Sequence, residues 1–263
     1  MDIEITSYGL LCMIGIGVAA VIGLLLARHR KYEFFDFMLV VVITLLSALA
    51  GAKILSIIVN WNLIVNLFEV LPAMEALEIV IRSGFVFYGG LIGGVIGLFI
   101  TCKVKKVSFI EYASVFGVPL CIGHAFGRVG CFLGGCCYGI EYDGILSHVY
   151  ETAIDASTPI GVPLLPIQLI EAVLLMLLFS VLLFVFLKLN NSKLVLYLYA
   201  LSYSVIRFVL EFFRGDAERG SLFSISTSQW ISMIIFSVAV ILLVIETIKR
   251  IKNKRQTTNV IDK

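Results

Sequence analysis

Seven runs of about twenty apolar residues, each bounded by polar or charged positions, constrain this chain more than anything else in it. They cover residues 8–27, 37–59, 85–102, 109–132, 166–187, 194–213 and 230–248. Each run is long enough to cross a bilayer core, and in lipid only a helix or a closed barrel satisfies its own backbone groups. The expectation is an all-α polytopic membrane protein with seven transmembrane helices. Composition agrees: 60% of the 263 residues are hydrophobic and 14% are charged, a balance that excludes a soluble domain of this size. The first run is followed by six more and carries no small-residue cleavage site, so it reads as a helix rather than a removable signal.

The net charge of +2 matters less than its distribution. Arg28, Arg30 and Lys31 follow the first run, Lys103, Lys105 and Lys106 the third, and Lys188 and Lys193 the fifth. Lys249, Arg250, Lys252, Lys254, Arg255 and Lys263 follow the seventh, whereas the alternate connections carry Arg82, Arg214 and Arg219. The positive-inside rule then places the N-terminus outside and the C-terminus inside. Residues 1–263 read as one integral membrane domain. Residues 138–165, with Glu141, Asp143, Glu151 and Asp155, form a candidate outer cap. Residues 249–263 form a basic cytoplasmic tail suited to anionic headgroups. The outer connection 60–84 carries an acidic helical stretch around Met74–Glu78 that fits an interfacial position.

Three basic residues remain at membrane depth: Lys53, Arg128 and Arg207. A central charge costs about 2.5–3.5 kcal/mol on insertion scales, so each requires a partner or an anion to hold. Arg128 lies in the segment His124 to Gly139, where Gly127, Gly130, Gly134, Gly135 and Gly139 leave backbone open to close approach. Tyr203, Arg207 and Glu211 are spaced by four on the sixth run and share one helical face. Read alone, that face is an internal ion pair with a neighbouring phenol. Gln168 and Glu171 open the fifth run toward the same outer side. Two arginines, two glutamates, a glutamine and a tyrosine on three helices suggest one shared site. Paired guanidinium forks match a phosphate, the commonest anion at headgroup depth. On the third run, Gly89, Gly90, Gly93, Gly94 and Gly97 are read either as close helix packing or as a place where a headgroup reaches the backbone beside Tyr88.

The ordered set of motifs resembles the bacterial prolipoprotein diacylglyceryl transferase family over nearly the whole chain. The pieces are Ser7-Tyr8-Gly9-Leu10, Phe87-Tyr88-Gly89-Gly90-Leu91-Ile92-Gly93, Gly127-Arg128-Val129-Gly130, Pro166-Ile167-Gln168-Leu169-Ile170-Glu171, and Tyr203, Arg207, Glu211 and Arg214 at fixed spacing. The resemblance implies a cytoplasmic-membrane enzyme of bacteria. It would transfer a diacylglyceryl group from phosphatidylglycerol to the lipobox cysteine thiol of a preprolipoprotein, forming a thioether and releasing glycerol phosphate. It implies that Arg128 and Arg207 hold the phosphate, that Tyr203 and Glu211 orient or polarise, and that Tyr8 lines the lipid site. Gly89, Gly90, Gln168, Glu171 and Arg214 join the substrate-binding set. No cofactor, metal or nucleic-acid partner is expected.

The chain departs from the family pattern at several positions. Tyr88 stands where the family has a histidine before the glycine pair, and Cys131 and Cys136 stand for an asparagine and a glutamate. Leu165 and Ile170 replace a histidine and a tyrosine around the fifth-run motif. His124, one turn before Arg128, is a candidate replacement base and equally a structural histidine. Cys131, Cys136 and Cys137 can be read as packing residues, a disulfide, a working thiol or, together with His124, ligands to a metal. Two other functions compete: a related phospholipid-dependent transferase with another acceptor, and a non-catalytic lipid- or solute-handling membrane protein. The broken helices and internal repeats of transporters are not clear in this sequence.

Overall fold

The computed structural model describes residues 7–82, 84–216, 221–222 and 225–261. Its helices are α1 (Ser7–His29), α2 (Phe34–Val59), α3 (Trp61–Val70), α4 (Ala73–Arg82), α5 (Phe87–Lys105), α6 (Phe109–Gly134), α7 (Ile167–Phe184), α8 (Ser192–Leu210) and α9 (Thr227–Ile261). A π-helical turn, Val185–Leu189, extends α7, and a 3-10 turn, Glu211–Phe213, extends α8. Seven of these, α1, α2 and α5–α9 with their extensions, are long and apolar enough to cross a membrane, matching the seven runs read from sequence. Their exteriors are apolar: Leu45, Leu46 and Leu49 on α2 and Leu177, Val181 and Phe184 on α7 are exposed, a surface that suits hydrocarbon rather than water. Arg219 and Lys263 lie outside the described residues.

Tight turns close the connections rich in basic residues. Lys31, Lys106 and Asn190 each adopt positive φ just past a helix end, the left-handed cap more often built with glycine. After α1, Lys31 N donates to Arg28 O and Tyr32 N to Ala27 O. Asn191 then caps α8, its side chain accepting from Leu194 N at 3.1 Å.

The chain divides into two compact units, residues 25–113 and residues 1–24 with 114–263. Within the first, α2 and α5 pack backbone to backbone. A Cβ on Gly89 would collide with the Gly51 carbonyl, one on Gly93 with the Ser47 carbonyl, and one on Gly97 with the Ser47 side chain. Close packing therefore accounts for these three glycines. Gly93→Ala is expected to cost about 1–3 kcal/mol of stability by overpacking. Gly17→Ala, on α1 where an added Cβ meets nothing within 4 Å, should be neutral or slightly stabilising. Thermal unfolding in detergent compares them, and equal midpoints would refute the packing argument.

The same unit satisfies Lys53. Its Nζ donates to Val80 O at 2.5 Å and Ile81 O at 3.1 Å, at the carbonyl end of α4 where the helix dipole favours a cation. It also lies 5.2 Å from the Phe85 ring centroid. Lys53 is thus a structural charge.

In the second unit α1 packs on α6, with an added Cβ on Gly15 clashing with Phe126 and one on Gly130 meeting Tyr8 at 3.2 Å. Residues 138–165 fold back on themselves. Two short antiparallel strands, β1 (His148–Val149) and β2 (Pro163–Leu164), pair there. Tyr138, Tyr150 and Leu164 form a small core with Phe132 and Val162. Ile140 N donates to Phe213 O and Gly215 N to Tyr138 O, which fastens this segment to the end of α8. A second strand pair, β3 (Ser221–Leu222) and β4 (Ile225–Ser226), leads into α9.

Candidate active site

Helical spacing builds the charged cluster. On α6, His124 and Arg128 are four residues apart; on α8, Arg207 follows Tyr203 by four and precedes Glu211 by four. Gln168 and Glu171 lie in the first turns of α7, and Ser228 in the first turn of α9. Four helices of one unit therefore aim polar side chains at one place.

Glu171 is the centre of this arrangement, at 2% exposure. Its Oε2 lies 3.0 Å from Arg128 Nε and 3.7 Å from Arg207 Nη1. Its Oε1 lies 3.8 Å from His124 Nε2 and accepts from Tyr203 OH at 3.5 Å. The His124 and Tyr203 rings meet edge to face at 5.3 Å. Arg207 Nη2 lies 2.7 Å from Glu211 Oε2 and donates to Ser228 Oγ at 3.1 Å.

These contacts hold charge without exhausting the donors. The Arg128 Nε and Arg207 Nη1 groups are buried and make no aligned hydrogen bond among the described residues. Their approach to Glu171 is Coulombic, so directed N–H groups remain for a planar or tetrahedral anion. A buried carboxylate shared by two guanidinium groups needs both of them to offset its desolvation.

A second layer continues outward. Arg214 Nε and Nη2 donate to the Asp216 carboxylate at 2.8 and 2.5 Å, and Arg214 Nε lies 3.9 Å from Glu211 Oε2. Burial works against the Arg214 charge, but Asp216 and the Cys137 thiol outweigh it and hold the guanidinium firmly protonated. Gln168 Nε2 donates to Cys136 O at 2.7 Å and to Tyr150 OH at 3.3 Å. Burial pushes the Tyr150 phenol up to about 12, keeping it protonated at neutral pH.

Tyr8 packs over Gly130 from α1. Tyr88, Gly89 and Gly90 open α5 in the other unit, where Gly89 abuts Gly51. All six cysteines are thiols rather than disulfides. The Sγ atoms of Cys131, Cys136 and Cys137 lie within 4.8 Å of one another, so this trio, without His124, is the cluster able to hold a metal among the described residues.

Sequence reasoning missed two contributors. Ser228 follows a loop and carries no motif. Asp216 is two residues from Arg214, a spacing that helical periodicity does not flag. Glu171, placed in the shared site from sequence, has a further part that spacing alone did not show: it is the counter-ion common to both membrane-depth arginines. The signal for it was the charge balance itself: buried arginines demand an acid.

A family model described as prolipoprotein diacylglyceryl transferase matches residues 1–245, a span containing every residue of this cluster. A phosphatidylglycerol–prolipoprotein diacylglyceryl transferase 2 of Clostridium perfringens is 31% identical over 97% of this chain and 95% of its own length. A phosphatidylglycerol–prolipoprotein diacylglyceryl transferase of Clostridium tetani is 32% identical over 86% of this chain and 88% of its own. One of the same name from Dehalococcoides mccartyi is 28% identical over 96% and 92%. The match runs through α1, the glycine-rich start of α5 and all the helices that carry the arginine cluster, and on this evidence the chain belongs to the prolipoprotein diacylglyceryl transferase family.

Proposed function

We propose that this multi-pass protein of the bacterial cytoplasmic membrane is a transferase that moves a diacylglyceryl group from phosphatidylglycerol to the thiol of a prolipoprotein cysteine. The relatives' names give phosphatidylglycerol and a prolipoprotein, the cysteine thiol is what the family resemblance adds, and the seven helices suit an enzyme that takes its donor from the bilayer. One observation carries the site assignment: Arg128 and Arg207, on different helices, converge on Glu171 while keeping buried N–H groups without aligned acceptors.

In this reading Glu171 and Glu211 hold the two guanidinium groups apart and oriented before substrate arrives. The lipid phosphate then takes the remaining N–H groups in paired contacts. The acceptor sulfur attacks the glycerol carbon that bears the phosphate ester. A C–S bond forms, the C–O bond breaks, and its electron pair leaves on glycerol phosphate. Charge grows on that leaving group, and fixed guanidinium groups in a water-poor site stabilise it without reorganising. Arg214 and Gln168 steady the rim, Tyr203 fixes the Glu171 carboxylate, and Tyr8 contacts lipid at the α1–α6 seam. His124 is within reach of the same carboxylate and serves as a proton-handling group. In the other unit, Tyr88 and Gly90 at the start of α5 are separate candidates for lipid contact, whereas Gly89 is taken up by packing on Gly51.

The test reconstitutes purified protein with phosphatidylglycerol and a lipobox peptide. Release of glycerol phosphate, with matching mass gain on the cysteine peptide and none on its serine analogue, supports the function. No release from folded protein refutes it. The same reading puts the N-terminus outside and the C-terminus inside, following the basic connections. A fluorescent reporter fused after Lys263 should glow, and a phosphatase fused there should stay inactive; the opposite pair overturns the orientation.

A further inference from the structure

Cys131, Cys136 and Cys137 have no part in the phosphate site, yet the chain goes out of its way to bring them together. Cys131 is on the last turns of α6, whereas the other two follow that helix. Gly135 (φ +68°) and Cys137 (φ +60°) both take the left-handed backbone, and for Cys137 that conformation is uncommon. Cys136 N donates to Cys131 O at 3.0 Å. The Cys136 carbonyl is held by Gln168 Nε2 at 2.7 Å, and Gly135 O accepts from Thr158 Oγ1 at 2.6 Å. The turn is thus fixed from α7 and from the 138–165 segment. Its result is three sulfur atoms within 4.8 Å of one another.

That separation suits a metal. With Zn–S bonds near 2.3 Å, tetrahedral zinc sets its sulfur ligands about 3.8 Å apart, so closure asks for shifts of roughly an ångström. Thiolates select soft or borderline ions such as zinc. Charge favours it too. Three thiolates and one divalent cation carry a net charge of −1, which two guanidinium groups, Arg128 and Arg214, can offset. Arg128 is one turn before Cys131 on α6, and the positive charges of Arg128 and Arg214 both act on Cys137.

We propose that Cys131, Cys136 and Cys137 bind one thiophilic divalent cation, with zinc the ion their chemistry favours, and, resting on the transferase reading, that its fourth position takes the acceptor thiol as a thiolate. Three protein ligands leave that fourth position to substrate, as in catalytic rather than structural zinc sites. The nearby carboxylates Glu171 and Glu211 are already committed to arginines, which leaves His124 as the one other group given a proton-handling role. A metal supplies acidity where carboxylates are occupied, since a coordinated thiol loses its proton.

The step balances without a redox partner. On metal binding the three cysteine protons pass to water. The acceptor thiol displaces a water ligand and its proton also goes to solvent. Its sulfur then forms the C–S bond as the C–O bond to phosphate breaks, and the electron pair departs with glycerol phosphate. The thioether product is neutral, binds the cation less well than the thiolate did, and leaves.

The experiment uses the full chain in detergent or nanodiscs, purified under reductant and stripped with chelator. Cobalt(II) serves as the spectroscopic probe and zinc as the activating ion. One equivalent of cobalt should bind with a sulfur-to-cobalt charge-transfer band, and a lipobox cysteine peptide should change the visible bands while its serine analogue does not. Cys136→Ser and Cys137→Ser should each lose the band, and their glycerol phosphate release should fall about 100-fold or more. A Cys12→Ala/Cys102→Ala/Cys121→Ala protein keeps the trio and should bind cobalt as the unaltered chain does, which guards against non-specific thiol binding. The absence of a stoichiometric band, retention of the band in both serine variants, an unchanged spectrum with cysteine peptide, or a stable Cys131–Cys136 disulfide in the active protein each overturns the proposal. Equal glycerol phosphate release with and without zinc defeats the metal alone and leaves the transferase reading intact. No release from zinc-loaded protein defeats the transferase reading and, with it, the role given to the fourth position.

Discussion

Glu171→Gln is expected to lose both stability and turnover, and to regain part of the stability when an anionic lipid is supplied. Glu171 is the most buried member of the charge cluster and the only carboxylate among the described residues that neighbours both Arg128 and Arg207. Neutralising it leaves two guanidinium groups facing each other in a dry place. Breaking a buried pair by removing one partner typically costs about 3–5 kcal/mol, and glutamine recovers some of that through its carbonyl oxygen. A lipid phosphate in the same place supplies the missing negative charge. The thermal midpoint of the variant should therefore rise more with added phosphatidylglycerol than that of the unaltered chain, by the linkage between binding and stability. A zwitterionic phospholipid brings the same phosphate together with its own ammonium charge and should give a smaller difference. Unfolding scans in micelles with each lipid decide it. A variant as stable as the unaltered chain, or one indifferent to lipid charge, would show that Glu171 is not the counter-ion described.

The fold was legible because a bilayer makes one demand that sequence reports directly. Twenty apolar residues in a row, with basic residues in alternate gaps, suffice to mark seven helices, and α1, α2 and α5–α9 lie where those runs lie. The face carrying Tyr203, Arg207 and Glu211 was legible for a related reason: one regular helix carries all three, so spacing fixes direction. Partnerships between elements were not. The glycines of α5 announced close packing, but nothing local named Ser47 and Gly51 of α2 as what they pack on. Residues 138–165 were legible as an outer cap but not in their internal structure, because two-residue strands such as β1 and β2 have no period to detect, and the segment's anchor at Phe213 is about seventy residues from Ile140. Lys53 resembled Arg128 and Arg207 as a charge at membrane depth. Only tertiary structure separates them: Lys53 is consumed by the carbonyls ending α4, whereas the two arginines meet at a shared acid.

Removing either arginine should affect transfer alike and folding unequally. By the leaving-group argument, Arg128→Ala and Arg207→Ala each delete one fixed donor to the developing phosphate charge, a loss of about 10²–10³-fold in turnover for a donor of this kind. Their structural ties differ. Arg128 neighbours one carboxylate, Glu171. Arg207 bridges Glu171, Glu211 and Ser228, linking α7, the end of α8 and the start of α9. Deleting Arg207 strips Glu211 of its nearest cation and leaves Arg214, 3.9 Å away and already bound to Asp216, as its remaining neighbour. Arg207→Ala should thus lower the thermal midpoint markedly, and Arg128→Ala much less. Lysine separates charge from geometry at both positions. It keeps the positive charge and so should restore most of the stability lost at position 207, yet it cannot present two parallel N–H groups to phosphate and should restore less than about tenfold of the turnover. Glycerol phosphate release and unfolding, measured on the same four preparations, test the two halves together. Full turnover in either lysine variant would mean that charge alone serves the leaving group, and equal stability of the two alanine variants would mean that Arg207 does not hold the three helices as the distances indicate.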